Sequence, residues 1–320
     1  MRVAVSGARG RLGRALITAL EEAPFVGPSG PIAWGRESFD LDTPERFGGL
    51  LDRDRPEVVV HAAAWTDVDA CARQPDLALA RNAAATGTLA EACAERGLDL
   101  IVLSTNEVFD GRRRDGRGYA PADPTGPLNA YGTSKLAGER AALAAYGDHG
   151  DGAKRRAAPA PGGRRQLGAL GIVRTAWLFG PPGNDFPAKI LTSAERAIAT
   201  GAPLHLVTDE IGSPTYSLDL AEGILELIGG AAIDGIHHIV NAGAVSRAGW
   251  ARELLRQTGL EVGTEDVPAS MWPRASTPPA WAVLEPTDLP GGEPLRPWQQ
   301  ALADYLPSLL RQRATAGSPR

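Results

Sequence analysis

Hydrophobic positions along the chain alternate between short apolar runs and stretches with helical spacing. Arg2 to Ser6 forms a short apolar run that meets glycines at once, and Leu12, Ala15, Leu16, Ala19 and Leu20 then share one helix face. Ile32-Ala33-Trp34 reads as a second strand, Glu57 to Ala62 as a buried third, and Ala83 to Glu95 as a helix. Leu100 to Ser104 is another apolar strand, Ser134 to Ala145 a helix, and Leu170 to Arg174 the next strand. Apolar strands alternating with helices predict a parallel sheet covered on both faces.

Beyond Trp177 the pattern loosens. Helices are expected at Phe186 to Ala199, Leu218 to Ile228, Trp250 to Thr258 and Arg296 to Arg311, with strands at Leu204 to Val207 and Gly235 to Asn241. The fold class is therefore α/β: a Rossmann-type doubly wound parallel sheet with a smaller C-terminal α/β substrate-binding domain. The dinucleotide-binding domain is expected over residues 1–175, with strands returning from about 204–245, and residues 176–313 supply mainly the substrate domain. Residues 147–168, rich in Gly, Pro, Ala and Arg, lack apolar periodicity and read as an exposed insertion; residues 314–320 read as a frayed tail.

Composition narrows the function classes. A net charge of −5 gives no basic footprint for nucleic acid or an anionic membrane. No apolar run approaches the roughly 20 residues of a membrane span. The N-terminus runs straight into a strand pattern with no signal peptide, and the two cysteines, Cys71 and Cys93, read as buried free thiols. A cytoplasmic protein is expected. His237 and His238 fall on a strand pattern and read as structural, and no metal-ligand set stands out.

Chemistry first enters at the opening turn. Gly7-Ala8-Arg9-Gly10-Arg11-Leu12-Gly13 is a G-x-x-G-x-x-G placed between the first strand and the first helix. Glycines permit a tight turn and close approach of a pyrophosphate, and the helix N-terminus offers N–H groups and partial positive charge. An acidic residue after the second strand commonly holds the ribose 2′-hydroxyl of NAD, but here the strand ends Trp34-Gly35-Arg36. A guanidinium suits a 2′-phosphate, which favours NADPH as cofactor, with NADH the other option. Asp42 is placed either to reach the adenine amino group or to cap a helix before Thr43-Pro44.

Tyr131-Gly132-Thr133-Ser134-Lys135 is a Y-x-x-x-K leading into a helix, which puts both side chains on one face. An ammonium beside a phenol favours phenolate and is expected to lower the tyrosine pKa, making it a proton donor and acceptor. Thr105 stands at the end of the preceding strand, where a hydroxyl can hydrogen-bond a substrate carbonyl. The polar loop from Asn106 to Asn129 lies at the carboxyl end of the sheet, where ligands bind in open α/β folds.

At these residues the chain resembles the dTDP-4-dehydrorhamnose reductases, a family of extended short-chain dehydrogenases. The matching stretches are His61-Ala62-Ala63-Ala64-Trp65-Thr66-Asp67-Val68-Asp69, Ser104-Thr105-Asn106-Glu107-Val108-Phe109-Asp110-Gly111 and Pro127 through Lys135. Arg174-Thr175-Ala176-Trp177, Gly183-Asn184-Asp185-Phe186, Gly212-Ser213-Pro214-Thr215 and Leu295-Arg296-Pro297-Trp298 extend the match over nearly the whole chain. The resemblance implies NADPH-dependent reduction of the C4 keto group of a nucleotide-linked 6-deoxysugar, with Thr105, Tyr131 and Lys135 as the catalytic trio. It places Ala62, Ala63, Ala64, Thr66, Tyr131 and Lys135 along the cofactor, with Lys135 on the nicotinamide ribose, and Val68, Asn106, Glu107 and Trp177 against the sugar or nucleotide. Analogy with the family leaves a homodimer open.

Two departures bear on substrate. The family's usual S-T-D-Y-V-F is Ser104-Thr105-Asn106-Glu107-Val108-Phe109 here, so an acid replaces an aromatic hydroxyl beside the sugar. Near a diphosphate that acid needs a cation. R-T-S-W is Arg174-Thr175-Ala176-Trp177, one hydroxyl fewer. Two other readings compete: an NAD-dependent sugar-nucleotide epimerase or dehydratase of the same superfamily, and a non-catalytic NADP-binding regulatory subunit. Arg36 weighs against the first and the intact trio against the second.

Overall fold

The structure, a computed structural model, describes residues 1–147 and 168–316. The expected insertion lies almost wholly outside the described residues, as do the last four residues of the tail. In chain order the N-terminal elements are β1 (Val3–Ser6), α1 (Arg11–Glu22), β2 (Ile32–Trp34), α2 (Phe47–Asp54), β3 (Val58–His61), α3 (Val68–Arg73), α4 (Pro75–Leu79), α5 (Ala85–Glu95), β4 (Asp99–Thr105), α6 (Ala130–Ala145) and β5 (Leu170–Thr175). They continue as β6 (Leu178–Phe179), α7 (Phe186–Thr200), β7 (Leu204–Val207), β8 (Ile211–Gly212), β9 (Thr215–Tyr216), α8 (Ser217–Gly229), β10 (Gly235–His238), β11 (Val245–Ser246), α9 (Arg247–Thr258), β12 (Thr264–Val267), β13 (Trp281–Ala282) and α10 (Trp298–Ala316).

Six strands form a sheet in the order β2-β1-β3-β4-β5-β10, and every pairing is parallel. Strand alternation sends Val3 and Val5 to one core, with Leu16 of α1 and Leu220 and Ile224 of α8. Ala4 faces the other core, with Phe47 of α2, Leu89 of α5 and Ala142 of α6. Burial on both faces explains why these strands read as unbroken apolar runs. The order reverses between β1 and β3, which opens a crevice at their carboxyl ends.

The remaining strands make small separate sheets, β11-β8-β13, β12-β7 and β6-β9. Helices α7, α9 and α10 pack there around Phe179, Trp250, Trp298, Leu302 and Tyr305. One expected return to the main sheet is corrected. Only β10 joins it, whereas Leu204–Val207 pairs with β12. Leu204 and Leu206 bury one side of that strand against Ala194, Ala248 and Leu255, so it lacks the second apolar face of a central parallel strand. The strand expected to reach Asn241 leaves the ladder at His238. No helix among the described residues is long and apolar enough to cross a membrane.

Candidate active site

At the end of β1 the chain turns through Gly7 with φ +67°. A Cβ on Gly7 would lie 2.9 Å from the Ala63 backbone, and one on Gly13 would lie 2.1 Å from the Gly7 carbonyl oxygen. The turn therefore packs backbone on backbone, and glycine is what lets α1 start there. No side chain caps the first turn of α1, which leaves its N–H groups available to an anion. A cavity of about 310 Å³ opens beside this turn, lined among others by Gly7, Arg9, Gly10, Arg36 and Ala62 through Ala64. Glycine cradle, helix terminus and guanidinium rim fit a dinucleotide carrying a 2′-phosphate.

Other residues expected at the cofactor take different places. Arg11 reaches away, its Nε donating to the Gly180 carbonyl at 3.1 Å and its Nη2 to Asn184 Oδ1 at 2.5 Å. Leu12 is buried in the core under the sheet. Asp42 neither caps a helix nor lines the cavity. It accepts two hydrogen bonds from Arg81 at 2.6 and 2.7 Å, because that guanidinium lies over the Trp65 ring and presents its fork to the carboxylate. Thr66 lines the neighbouring cleft rather than the cavity at the glycine turn.

Asn129 caps α6 by accepting from the Gly132 N–H at 2.8 Å. The helix thus begins at Ala130, and Tyr131 and Lys135 stand one turn apart within it. Thr105 stands at the end of β4, where its hydroxyl donates to Asn106 Oδ1 at 3.3 Å and accepts from the Glu107 N–H at 3.2 Å. The expected electrostatics are reversed for the phenol. Burial, and then the Glu107 carboxylate, push the Tyr131 pKa up, against the pull of the nearby Thr105 hydroxyl. Burial pushes Lys135 down to about 8, opposed by Glu139. Withdrawal from water disfavours both charged forms. A phenol in this state keeps its proton and is a loaded donor.

Beneath the pair, His61 is fully enclosed. Its Nδ1 lies 2.8 Å from Ser6 Oγ and its Nε2 3.2 Å from Thr86 Oγ1. Thr86 gives its own proton to the Asn82 carbonyl at 2.8 Å, so Nε2 donates and Nδ1 accepts, the pattern of a neutral imidazole. Burial, then the Lys135 charge, push its pKa down to about 3. The unfolded chain binds this proton below the ordinary value near 6.5 while the folded chain does not. Stability is therefore present above that pH and is lost as pH falls towards 3. Between pH 7 and pH 5 the contribution is about 2 kcal/mol. Urea unfolding of wild type and His61→Gln at the two pH values checks this: the variant should lose less stability on acidification by about that amount.

A second cleft, of about 440 Å³, gathers Val68, Asn106, Glu107 and Trp177 with Thr66, while Thr105, Tyr131 and Lys135 line neither it nor the cavity at the glycine turn. Trp177 has φ +41°, a strained conformation for a bulky residue. Its ring is held in place by stacking on Trp250 at 5.9 Å and by the Arg247 guanidinium 3.6 Å above it, which fixes one wall of the cleft. Glu107 Oε2 accepts from Asn129 Nδ2 at 2.6 Å. Burial raises the Glu107 pKa, while Asn129, Arg247 and Arg274 pull it down. Glu107 makes no ion pair among the described residues; both guanidiniums are bound to Glu210 and act on Glu107 from a distance.

Several cleft residues were not found in the sequence. Arg247, Arg274, Lys189 and Glu210 come from α9, a loop, α7 and the segment before β8. Glu210 binds both arginines, Arg274 at 2.8 Å and Arg247 at 3.4 Å. Nothing in periodicity marks them; the nearest signal is Gly212-Ser213-Pro214-Thr215, which starts two residues after Glu210. Among the described residues no group of three or more His, Cys, Asp or Glu could hold a metal ion.

Residues 1–150 and 164–311 match the family described as the RmlD substrate binding domain. The chain belongs to that family. The RmlD family stretches border both cavities, from the glycine turn to the wall built by Trp177. A relative named dTDP-4-dehydrorhamnose reductase, from Streptomyces griseus, is 35% identical over 322 residues, covering 98% of this chain and 95% of its own. A dTDP-4-dehydrorhamnose reductase structure from Clostridium acetobutylicum superposes with TM-score 0.82 at 29% identity, over 97% of this chain and 100% of that one. The Bacillus anthracis reductase, solved in complex with NADP, gives TM-score 0.80 at 26% identity over 96% and 99% of the two chains.

Proposed function

We propose that this protein is an NADPH-dependent reductase of the C4 keto group of a nucleotide-linked 6-deoxysugar, converting dTDP-4-dehydro-L-rhamnose to dTDP-L-rhamnose. The observation that supports the reading is Tyr131 and Lys135 one helical turn apart on α6, with Thr105 ending β4 next to Asn106 and Glu107, which line the cleft that holds Arg247 and Arg274. The names of the family relatives support the same reaction. The two free cysteines, both buried, are in keeping with a cytoplasmic setting.

When bound, NADPH supplies a hydride to the carbonyl carbon. Tyr131 gives its phenolic proton to the carbonyl oxygen, and burial keeps that proton in place until needed. Thr105 hydrogen-bonds the same oxygen and orients it. The ammonium of Lys135 stabilises the phenolate left behind. Arg247 and Arg274 meet the diphosphate, with Glu210 balancing their charge beforehand. Trp177 offers a fixed flat wall for a base or sugar ring.

NADPH oxidation by purified protein with dTDP-4-dehydro-L-rhamnose, with dTDP-L-rhamnose identified as product, tests the proposal. Failure to oxidise NADPH with any dTDP-linked 4-keto-6-deoxysugar would overturn it. The cofactor reading carries its own prediction. Asp42 gives both oxygens to Arg81, which leaves Arg36 only a loose ion pair at 3.9 Å and free to meet a 2′-phosphate. Arg36→Ala should weaken NADPH binding about tenfold and NADH binding hardly at all, as fluorescence titration would show. Equal losses for the two cofactors would refute the role.

A further inference from the structure

Tyr131 and Lys135 lie four residues apart on α6, and four residues further along stands Glu139, in line with both. It is a carboxylate buried between helix and sheet, 1% exposed. Arg174 of β5 holds it with two parallel bonds, Nε to Oε1 at 2.9 Å and Nη2 to Oε2 at 2.7 Å. Ser104, next to Thr105 on β4, donates to the same Oε1. Arg174 is anchored in turn by Nη1 on the Pro121 carbonyl at 3.1 Å and lies 5.1 Å from the Phe109 ring centre.

We propose that Glu139 is a positioning residue for the Tyr131–Lys135 pair: its carboxylate, clamped by Arg174 and Ser104, is the fixed anion set one helical turn from the lysine on the same helix. A buried lysine tends to shed its proton, and a fixed anion at i+4 counters this. The surrounding groups leave this task to Glu139. His61, which faces Lys135 from β3, is neutral. Glu107 and Cys71 act on Tyr131, Arg81 is bound to Asp42, and the Cys93 thiol on α5 is buried and protonated. Burial still draws Lys135 down, and Glu139 is the group that opposes it. Two independent clamps from β4 and β5 prevent the carboxylate from turning away.

The proposal rests on the reductase reading, and Lys135→Met separates the two. Unchanged turnover in that variant removes the reading itself. With that control giving loss of turnover, kcat is measured from about pH 6 to about pH 10. Wild type should lose activity as pH rises through about 8, where Lys135 gives up its proton. Glu139→Gln should move this falling limb down by about one pH unit with KM little changed. Because the single variant strands Arg174, the charge-balanced pair Glu139→Gln with Arg174→Met is measured beside it and should move the limb in the same direction by a smaller amount, since the Arg174 charge leaves with the carboxylate. A merely structural role would lower kcat by one factor at every pH and leave the limb in place in both variants. That result would overturn the proposal.

Discussion

Tyr131→Phe is expected to lower kcat by roughly 10²- to 10⁴-fold, the usual worth of a positioned proton donor, while NADPH affinity stays within about twofold. The ring keeps its volume, so α6 and its Asn129 cap are undisturbed. The glycine turn and the Arg36 rim that define the cofactor cavity do not include the phenol. What disappears is the proton that the proposed mechanism delivers to the carbonyl. Single-turnover and steady-state rates with the dTDP-linked ketosugar, beside a cofactor titration, make the test. A variant within about threefold of wild type would remove the phenol from the mechanism.

Arg174→Met is expected to cost about 3–5 kcal/mol of folding stability, because it strands the Glu139 carboxylate in a site closed to water. Side-chain exposure in this pair is 3% and 2%, so solvent cannot take over the lost bonds. Urea unfolding should show a lower midpoint with an unchanged slope. The paired variant with Glu139→Gln should recover most of the loss, since two neutral partners leave no buried charge. A loss below about 1 kcal/mol in the single variant would show that the carboxylate finds water or another donor. The two results together separate the energetic role of the pair from the effect of Glu139 on Lys135.

Much of the site could be read before the fold. The glycine turn was legible because strand, turn and helix follow each other within a few residues, and phosphate recognition there is a backbone property. Tyr131 and Lys135 were legible because helical geometry alone brings i and i+4 together. Their electrostatics were not. The expected lowering of the phenol's pKa assumed an ammonium acting alone, whereas burial and the Glu107 carboxylate, brought by another segment, set the sign. Asp42 was misread for a similar reason: Arg81, 39 residues away, claims it.

By itself, the sequence determined the α/β class, the order of the parallel strands' elements and the local motifs, since each depends on residues close in the chain. Only the tertiary structure decided what surrounds those motifs. It brought Arg247, Arg274 and Glu210 from distant segments to one cleft, turned Arg11 away to the loop at Gly180, and withdrew β7 from the main sheet. It also set Glu139 between Arg174 and Ser104. Charge, desolvation and hydrogen bonding act through space, so the proton affinities that govern this chemistry are properties of the packed molecule.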